Sequence, residues 1–228
     1  MAPAGLGRRS PRAAREQRER DIVAATRALF DERGMQDAPI EEIARAVGIN
    51  KALIYRHFSS KEELFVLTVT RYLDELAALA QAVDPEGDPV AQLRTMADRY
   101  TTFCLRYPAF LDCALSLMRR PAEELRESVS ETVWLRLGQA MAACLTPLSR
   151  VLALGAERGV FAIDDPDFAA NHLYAQVLGT MHLARIGAGV HEAVPGVPAI
   201  FHVEPERVRR AAVDDAMALA FGRATATA

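Results

Sequence analysis

The chain's only two lysines lie ten residues apart in the stretch GINKALIYRHFSSKEEL, residues 48 to 64. The other 25 of its 27 basic residues are arginines, so Lys51 and Lys61 are exceptions. Tyr55 and Arg56 stand between them. Lysine is a flexible point charge suited to phosphate, and arginine can bind either a phosphate or a base edge. This set of side chains indicates recognition of a polyanion.

No motif for catalysis accompanies these residues. The sequence contains no G-x-S-x-G, no Walker loop, no H-E-x-x-H and no glycine-rich dinucleotide fingerprint. The acidic pairs at 164–165 and 214–215 are typical of helix caps or solvated charges. Cys104, Cys113 and Cys144 lack C-x-x-C spacing, and the five histidines lack the tight spacing of metal ligands. We therefore predict a protein that is not an enzyme, without catalytic residues, a metal or a cofactor.

The composition is that of a globular protein. Half of the residues are apolar and a quarter are charged, which is enough apolar material for a real core. No apolar run approaches the roughly 20 residues that a membrane-spanning helix needs. The first 20 residues carry arginines but no apolar segment of the kind found in secretory signals. We predict a cytoplasmic protein that does not engage a membrane.

Charge divides the chain into a basic front and an acidic body. Residues 1 to 61 carry 12 Arg and Lys against 8 Asp and Glu, whereas residues 62 to 228 carry 15 against 22. A basic front on an acidic body favours a polyanion as the partner of the front. The alternative is a basic N-terminal tail without any role.

The front contains a short arm and the first of three helices. Residues 1 to 14 are rich in Ala, Pro, Gly and Arg without apolar periodicity, which predicts a flexible basic arm. From about Arg15 an apolar period typical of a helix begins, and Gly34 ends it. We place a helical DNA-binding domain over residues 15 to 60 and a second domain over 61 to 228.

Two short helices follow, joined by a turn of three residues. The first is predicted over 40–47, since Pro39 precedes it and Gly48 follows it. The second is predicted from Lys51 to about Phe58. Two helices with this spacing form a helix-turn-helix, in which the second helix enters the major groove of DNA.

The helical period assigns directions to the side chains of the third helix. With Ile54 facing the core, Ala52 and Arg56 point away from it, and Leu53 and Tyr55 flank them. Lys51 begins this helix and Lys61 begins the next, where Ser60 and Glu63 have the spacing of a capping box.

The segment from 28 to 64 resembles the DNA-binding domain of the TetR (tetracycline repressor-like) regulators. The matching motifs are ALF followed by Gly at 28–34, IA at 43–44, GIN at 48–50, IYRHF at 54–58 and SKEEL at 60–64. The resemblance implies that Tyr55 and Lys61 contact DNA phosphates. The full set of predicted DNA-contacting residues is Asn50, Lys51, Ala52, Leu53, Tyr55, Arg56, His57 and Lys61.

Three positions depart from the family pattern. Ala38-Pro39 stands where a threonine usually caps helix two, which predicts the loss of one hydroxyl contact to DNA. Leu53 replaces a small polar residue and can pack on a thymine methyl, which favours an A·T pair. Ile54 replaces a leucine and changes packing only. For Arg56 two interpretations stay open, a guanine contact and a phosphate-bound or solvated charge.

The remaining chain is predicted to be helical, so the fold class is all-α. Helices are expected over 61–83, 89–106, 108–118, 121–159 with a bend at Pro147, 166–186 and 205–221. The stretch GAGVHEAVPGVPAIFHV, residues 187 to 203, is interpreted as a loop that is either mobile or ordered against a partner. We find no alternating pattern that demands a strand.

For the C-terminal domain, the resemblance implies a homodimer and a small-molecule effector. The helices near 167–186 and 204–221 would form a four-helix bundle with a second copy, and small residues such as Gly179 and Ala212 would allow close packing. A hairpin of helices buried within one chain would give the same pattern. A mostly apolar effector would contact residues on the central helices, and the predicted set is Phe103, Phe110, Met118, Trp134, Met141, Tyr174, Met181 and His182.

The resulting prediction is a dimeric regulator that binds a roughly palindromic operator in double-stranded DNA. It would be a repressor that an effector releases from the operator. The alternatives are a transcriptional activator and a DNA-binding protein of the same fold that needs no small molecule.

Overall fold

A computed structural model describes residues 10–34, 39–82 and 87–222. The helices are α1 (Pro11–Arg33), α2 (Ile40–Val47), α3 (Lys51–His57), α4 (Lys61–Gln81), α5 (Pro89–Arg106), α6 (Pro108–Met118), α7 (Ala122–Ser128), α8 (Glu131–Glu157), α9 (Pro166–Ile186) and α10 (Pro205–Ala220), and the strands are β1 (Ala188–Val194) and β2 (Val197–His202). The mainly helical fold class is therefore confirmed. Residues 1 to 9 of the predicted arm, Ala38, and the helix break predicted at Asp84-Pro85-Glu86 lie outside the described residues.

The first helix begins earlier than the sequence pattern suggested. Residues 11 to 14 were predicted to belong to the arm, yet α1 starts at Pro11. The Ser10 hydroxyl accepts a hydrogen bond from the Ala13 amide at 3.2 Å. A serine cap followed by proline in the first turn is a strong helix start, and it outweighs the lack of apolar periodicity there.

The helix-turn-helix forms as predicted. α2 ends at Gly48, whose φ of 70° and ψ of 34° are left-handed and whose amide bonds back to the Ala44 carbonyl. Ile49 donates to that same carbonyl at 2.9 Å, so the turn closes with the pattern of a glycine C-cap. Ile43 and Ile54 are almost fully buried between the two helices.

The predicted single helix over 121–159 is wrong, because two helices occupy that region. α7 ends at Ser128, Val129 is extended, and α8 begins at Glu131. Pro147 lies inside α8 and does not end it. The break occurs where the Ser130 amide donates to the buried carboxylate of Glu63 in α4 at 3.1 Å. A tertiary contact, not a local breaker, therefore divides the segment.

The C-terminal body is built around α4 and α8. α8 packs against α4, α5 and α9, while α10 packs against α5 and α9. By length and apolar composition α8 could cross a membrane, and in this fold one side of it packs against α4, α5 and α9.

The predicted loop at 187–203 is a β-hairpin. β1 and β2 pair antiparallel, with Val190 opposite Ile200 and an irregularity between Glu192 and Val194. Gly196 takes a φ of 81° in the turn. The glycines and prolines that suggested a loop lie at the turn, at the bulge and at a position where an aromatic ring crosses the strand. They interrupt the alternation of apolar and polar residues by which a strand is predicted from sequence.

Candidate nucleic-acid interface and effector cavity

The predicted recognition surface is the outward face of α3. Ile54 is 1% exposed and Phe58 is 2% exposed, whereas Tyr55 is 45% exposed. Ala52 and Arg56 are also exposed. The side chains of α3 point in the directions derived from the helical period. Burial of Ile54 fixes the rotation of this short helix about its axis.

Asn50 and Leu53 have local structural tasks at the start of α3. The Asn50 side chain accepts a hydrogen bond from the Leu53 amide at 2.8 Å and caps the helix. Its oxygen is therefore occupied by the backbone. Leu53 is half-buried, so only part of its side chain is free to contact a base.

Lys51 is paired with an acidic residue of α2. Its ammonium lies 2.6 Å from the Glu41 carboxylate, and both side chains are more than half exposed. The hydrogen bond between them raises the pKa of Lys51 and lowers the pKa of Glu41. Both groups stay ionised at neutral pH, so a phosphate that binds Lys51 must compete with Glu41.

His57 differs from the other predicted contacts. Its side chain is only 11% exposed, and Nδ1 lies 3.4 Å from the Glu19 carboxylate of α1. The ring also packs against Phe58, with centroids 6.4 Å apart. This placement makes His57 a link between α3 and α1 and takes it away from the open face.

Lys61 is exposed at the first position of α4, where the helix dipole also favours an anion. The Ser60 hydroxyl accepts from the Glu63 amide at 3.0 Å. The Glu63 carboxylate accepts from the Ser59 amide at 2.7 Å and from the Ser130 amide at 3.1 Å. Burial raises the pKa of Glu63, but these hydrogen bonds outweigh it and hold that pKa below its usual value. The start of α4 is thereby fixed to the start of α8.

A second link joins α1 to α4 and to the turn between α5 and α6. Arg27 donates to Glu75 at 2.5 Å, and its guanidinium lies 4.2 Å from the centre of the Tyr72 ring. The Tyr107 hydroxyl donates to Glu75 at 3.0 Å, and the Tyr72 hydroxyl donates to Asp31 at 2.6 Å. Burial raises the pKa of Glu75, while the bonds from Arg27 and Tyr107 lower it below its usual value. Glu75 is thus an ionised acceptor that joins α1 to the turn between α5 and α6.

An apolar cavity of about 80 Å³ lies between α4, α5, α8, α9 and α10. It is lined by Leu76, Leu79, Ala80, Leu93, Met96, Ala97, Arg99, Tyr100, Cys144, Leu145, Leu148, Leu173, Tyr174, Val177 and Ala216. A water needs only about 10–15 Å³ of such space. The cavity therefore has room for a small molecule, and a larger one must displace the leucine and methionine side chains in the wall.

Of the eight predicted effector contacts, only Tyr174 lines this cavity. Met118 is 47% exposed and His182 also faces outward. The other five belong to the core or pack on it, namely Phe103, Phe110, Trp134, Met141 and Met181. The predicted residues were selected for their large side chains, and large side chains fill the core. The cavity lies instead where leucines and alanines from different helices face one another.

Tyr100 is the polar group that the sequence analysis missed. Its ring is 6.2 Å from that of Tyr174, and its buried hydroxyl has only the weakly bonding Cys104 thiol beside it. Burial raises the pKa of Tyr100 well above its usual value, so the hydroxyl stays protonated. A thiol satisfies a buried hydroxyl poorly, and a ligand in the cavity could supply a stronger partner.

Aromatic rings connect the cavity to the α1 link. The rings of Tyr100 and Phe110 are 6.4 Å apart, and those of Phe110 and Tyr72 are 5.8 Å apart. Tyr72 in turn contacts Arg27. The wall of the cavity is thus connected by packed side chains to the first helix of the DNA-binding domain.

Within the described residues, no three His, Cys, Asp or Glu side chains come together as a metal site. Burial raises the pKa of the Cys104, Cys113 and Cys144 thiols to about 12 in each case, so these thiols stay protonated.

Known proteins resemble this chain both in sequence and in fold. Residues 22–67 match the family of bacterial regulatory proteins described as the tetR family. The chain is 34% identical over 102 residues to the HTH-type transcriptional activator FasR of Mycolicibacterium smegmatis, an alignment covering 44% of this chain and 47% of that protein. It is 29% identical over 204 residues to the A-factor receptor protein of Streptomyces griseus, covering 82% of this chain and 67% of that protein.

The structural likeness extends beyond the helix-turn-helix. The crystal structure of AibR in complex with isovaleryl coenzyme A and operator DNA has a TM-score of 0.57 to this chain at 17% identity, covering 87% of this chain and 97% of AibR. The chain spans about half the length of several of the curated relatives that it matches. At such low identity, the structural likeness to AibR concerns the fold alone.

Proposed function

Because this chain belongs to the tetR family of bacterial regulatory proteins, we propose that it is a dimeric, cytoplasmic transcription regulator that binds double-stranded DNA through α3. One observation carries the proposal. Ala52, Tyr55 and Arg56 point outward from a helix whose inner face is held by buried Ile54. A helix of this length fits the major groove of DNA, and lysines at its start and just beyond its end lie where phosphates would be. Binding of a small ion or ligand does not need this arrangement.

The surface of α9 supports the dimer. Phe168, Leu183 and Ile186 are 68%, 40% and 58% exposed and lie along one side of α9 with exposed Gly179 between them. An exposed apolar stripe along a whole helix is typical of a protein interface. The small residues predicted for α10 behave differently, since Ala212, Ala216 and Ala220 are already buried within the chain. We infer that α9 supplies most of the apolar contact and that α10 contributes its charged outer side.

We propose that the cavity holds an uncharged, mostly apolar effector with one oxygen or nitrogen that bonds to the Tyr100 hydroxyl. The cavity is small in its present form, so an effector that expands it would favour a different packing of α4 against α8. This change would reach α3 through Glu63 and through Arg27. The effector shifts the population only if it binds the expanded form more tightly than the closed form.

Release from DNA is the response we propose, which makes the protein a repressor. The name of the M. smegmatis relative describes an activator, and the same DNA contacts could serve activation if the expanded form binds DNA better. A third possibility is a DNA-binding protein of this fold whose cavity is never occupied.

Fluorescence anisotropy tests the DNA-binding surface. The probe is DNA from immediately upstream of the gene that encodes this chain, with excess competitor DNA at about 0.15 M salt, where screening weakens nonspecific binding. Arg56→Ala and Tyr55→Phe should weaken binding, whereas Arg150→Ala, which changes an exposed arginine of α8, should not. Equal loss in all three variants would refute the assignment of α3. If no variant and no wild-type protein bound this DNA, self-regulation would be excluded, and targets selected from genomic DNA would replace the probe.

Thermal shift tests the cavity. A panel of aromatic and medium-length aliphatic compounds, each in a form with and without one hydroxyl group, should stabilise the wild type only in the hydroxyl form. Tyr100→Phe keeps the ring and should lose this preference, because it removes the group that bonds to the ligand. Equal shifts for both forms in the wild type would refute the role of Tyr100.

A further inference from the structure

Exposed apolar side chains are concentrated in one part of the molecule. Thirteen large apolar residues of the described chain are exposed, and nine of them lie between Phe168 and Phe221. That segment contains α9, the hairpin and α10. A random distribution over the surface would not place so many together, so this region is expected to be covered by another protein surface.

The two faces of the hairpin differ. Residues directly opposite each other on paired strands point to the same face. On one face Phe201 lies over Gly189, where an added Cβ would sit 2.2 Å from the ring, and its centroid is 5.8 Å from that of His191. On the other face stand Val190 and Ile200, which are 69% and 78% exposed. The first face is partly covered by the packing of Phe201, which is 42% exposed, and the second is the more open face.

The hairpin is attached to the body at its base. The Val203 amide donates to the Gly187 carbonyl at 3.0 Å, and β1 contacts the end of α9. A two-stranded hairpin is marginally stable in water without a surface to pack on. The pair of β-branched residues on the open face therefore needs a partner that the described part of this chain does not provide.

We propose that the Val190–Ile200 face docks on a second copy of this chain and extends the dimer interface beyond α9. The hairpin connects α9 directly to α10, and its first strand, which contacts the end of α9, begins two residues after Ile186, the last exposed apolar residue of that helix. Residues 187 to 203 contain no Lys or Arg, so this surface lacks the charges that DNA would require. The inference rests on the proposed dimer.

The test compares matched hairpin variants by sedimentation equilibrium of the full chain. Val190→Thr combined with Ile200→Thr keeps the β-branched shape and removes apolar surface from the open face. His191→Thr changes the opposite face of the same strand and serves as the control. Because two-fold symmetry presents each change twice, the double variant should raise the dimer dissociation constant at least about tenfold. The control should match the wild type.

A second measurement covers the case in which the double variant disturbs the hairpin itself. In the wild type, hydrogen exchange of the amides in residues 188–202 should be slower above the dimer dissociation constant than below it. Exchange that does not depend on concentration, or a double variant with an unchanged dissociation constant, would overturn hairpin docking while leaving the dimer intact. A wild type that stays monomeric would overturn the dimer and the docking together.

Discussion

Lys51 and Glu41 show how a single pair of charges can set DNA affinity. In the free protein the lysine at the start of α3 is held by an acidic residue of α2. In the proposed complex, DNA phosphate and Glu41 compete for one ammonium group, so we expect Lys51 and Glu41 to have opposite effects on binding.

Lys51→Ala should weaken binding to every DNA sequence and lower the slope of log affinity against log salt by about one unit. Glu41→Gln should strengthen binding, because it removes the competing charge and keeps the size of the side chain. Anisotropy titrations at several salt concentrations measure both. A loss of affinity in Glu41→Gln would show that the ion pair positions the lysine and does not compete for it.

Glu63 makes the stability of the domain junction dependent on pH. Its pKa in the folded chain lies below the ordinary value of 4.5. The stabilisation is therefore complete above that ordinary value and is lost as the pH falls through the lower, folded value. Protonation weakens the acceptor for the Ser59 and Ser130 amides.

Glu63→Gln should lower the free energy of unfolding at pH 7 by about 1.5–3 kcal/mol, because neutral amide contacts replace charge-assisted ones. The variant and the wild type should converge as the pH falls through the lowered, folded pKa of Glu63. Denaturant titrations at pH 7 and at low pH measure the difference, and Glu62→Gln at the half-buried neighbouring position is the control. A constant difference at both pH values would contradict the titration argument.

At the scale of helices, α4 is the element that connects the helix-turn-helix to the cavity. Its first turn is fixed to α8 through Glu63, and its middle is fixed to α1 through Glu75. The same helix contributes Leu76, Leu79 and Ala80 to the cavity wall. A displacement of α4 that enlarges the cavity must therefore act on both links.

Arg27→Ala should separate α1 from α4. The expected loss is about 1–2 kcal/mol in the free energy of unfolding, because Glu75 keeps its charge and loses a half-buried, hydrogen-bonded partner. Tyr107→Phe removes one hydroxyl and should cost about 0.5–1.5 kcal/mol. Arg12→Ala, in an exposed ion pair whose arginine is 90% exposed, should change stability by less than about 0.5 kcal/mol. Equal effects of Arg27→Ala and Arg12→Ala would contradict the link.

At the scale of the whole molecule, the proposed two-fold symmetry predicts the geometry of the operator. Two copies of α3 related by a two-fold axis should read inverted half-sites about 10 base pairs apart, which is one turn of the double helix. Each copy contributes the same outward residues.

Inserting about 5 base pairs between the half-sites would turn them to opposite faces of the DNA. Binding should then fall to the affinity of a single half-site. An insertion of about 10 base pairs should bring both half-sites back to the same face of the DNA and restore part of the affinity. Gel-shift titrations on the three DNAs measure this. Unchanged affinity after the shorter insertion would mean that the subunits bind independently.

The sequence by itself determined the helix-turn-helix and most helix boundaries. α2, α5 and α6 have the predicted ends, because Pro and Gly at helix ends act locally on the backbone. The outward direction of Ala52, Tyr55 and Arg56 also follows from one buried residue and the helical period.

Tertiary structure decided the features that depend on residues far apart in the chain. The division between α7 and α8 depends on Glu63 taking the Ser130 amide across 67 positions. The cavity depends on where small and large side chains from five helices meet, which is why Tyr100 was missed and only Tyr174 was found. The hairpin depends on pairing between strands, and Phe201 lying over Gly189 stabilises that pairing although neither residue predicts a strand alone. Local signals fix local conformation, while cavities and pairings arise from packing that no short segment encodes.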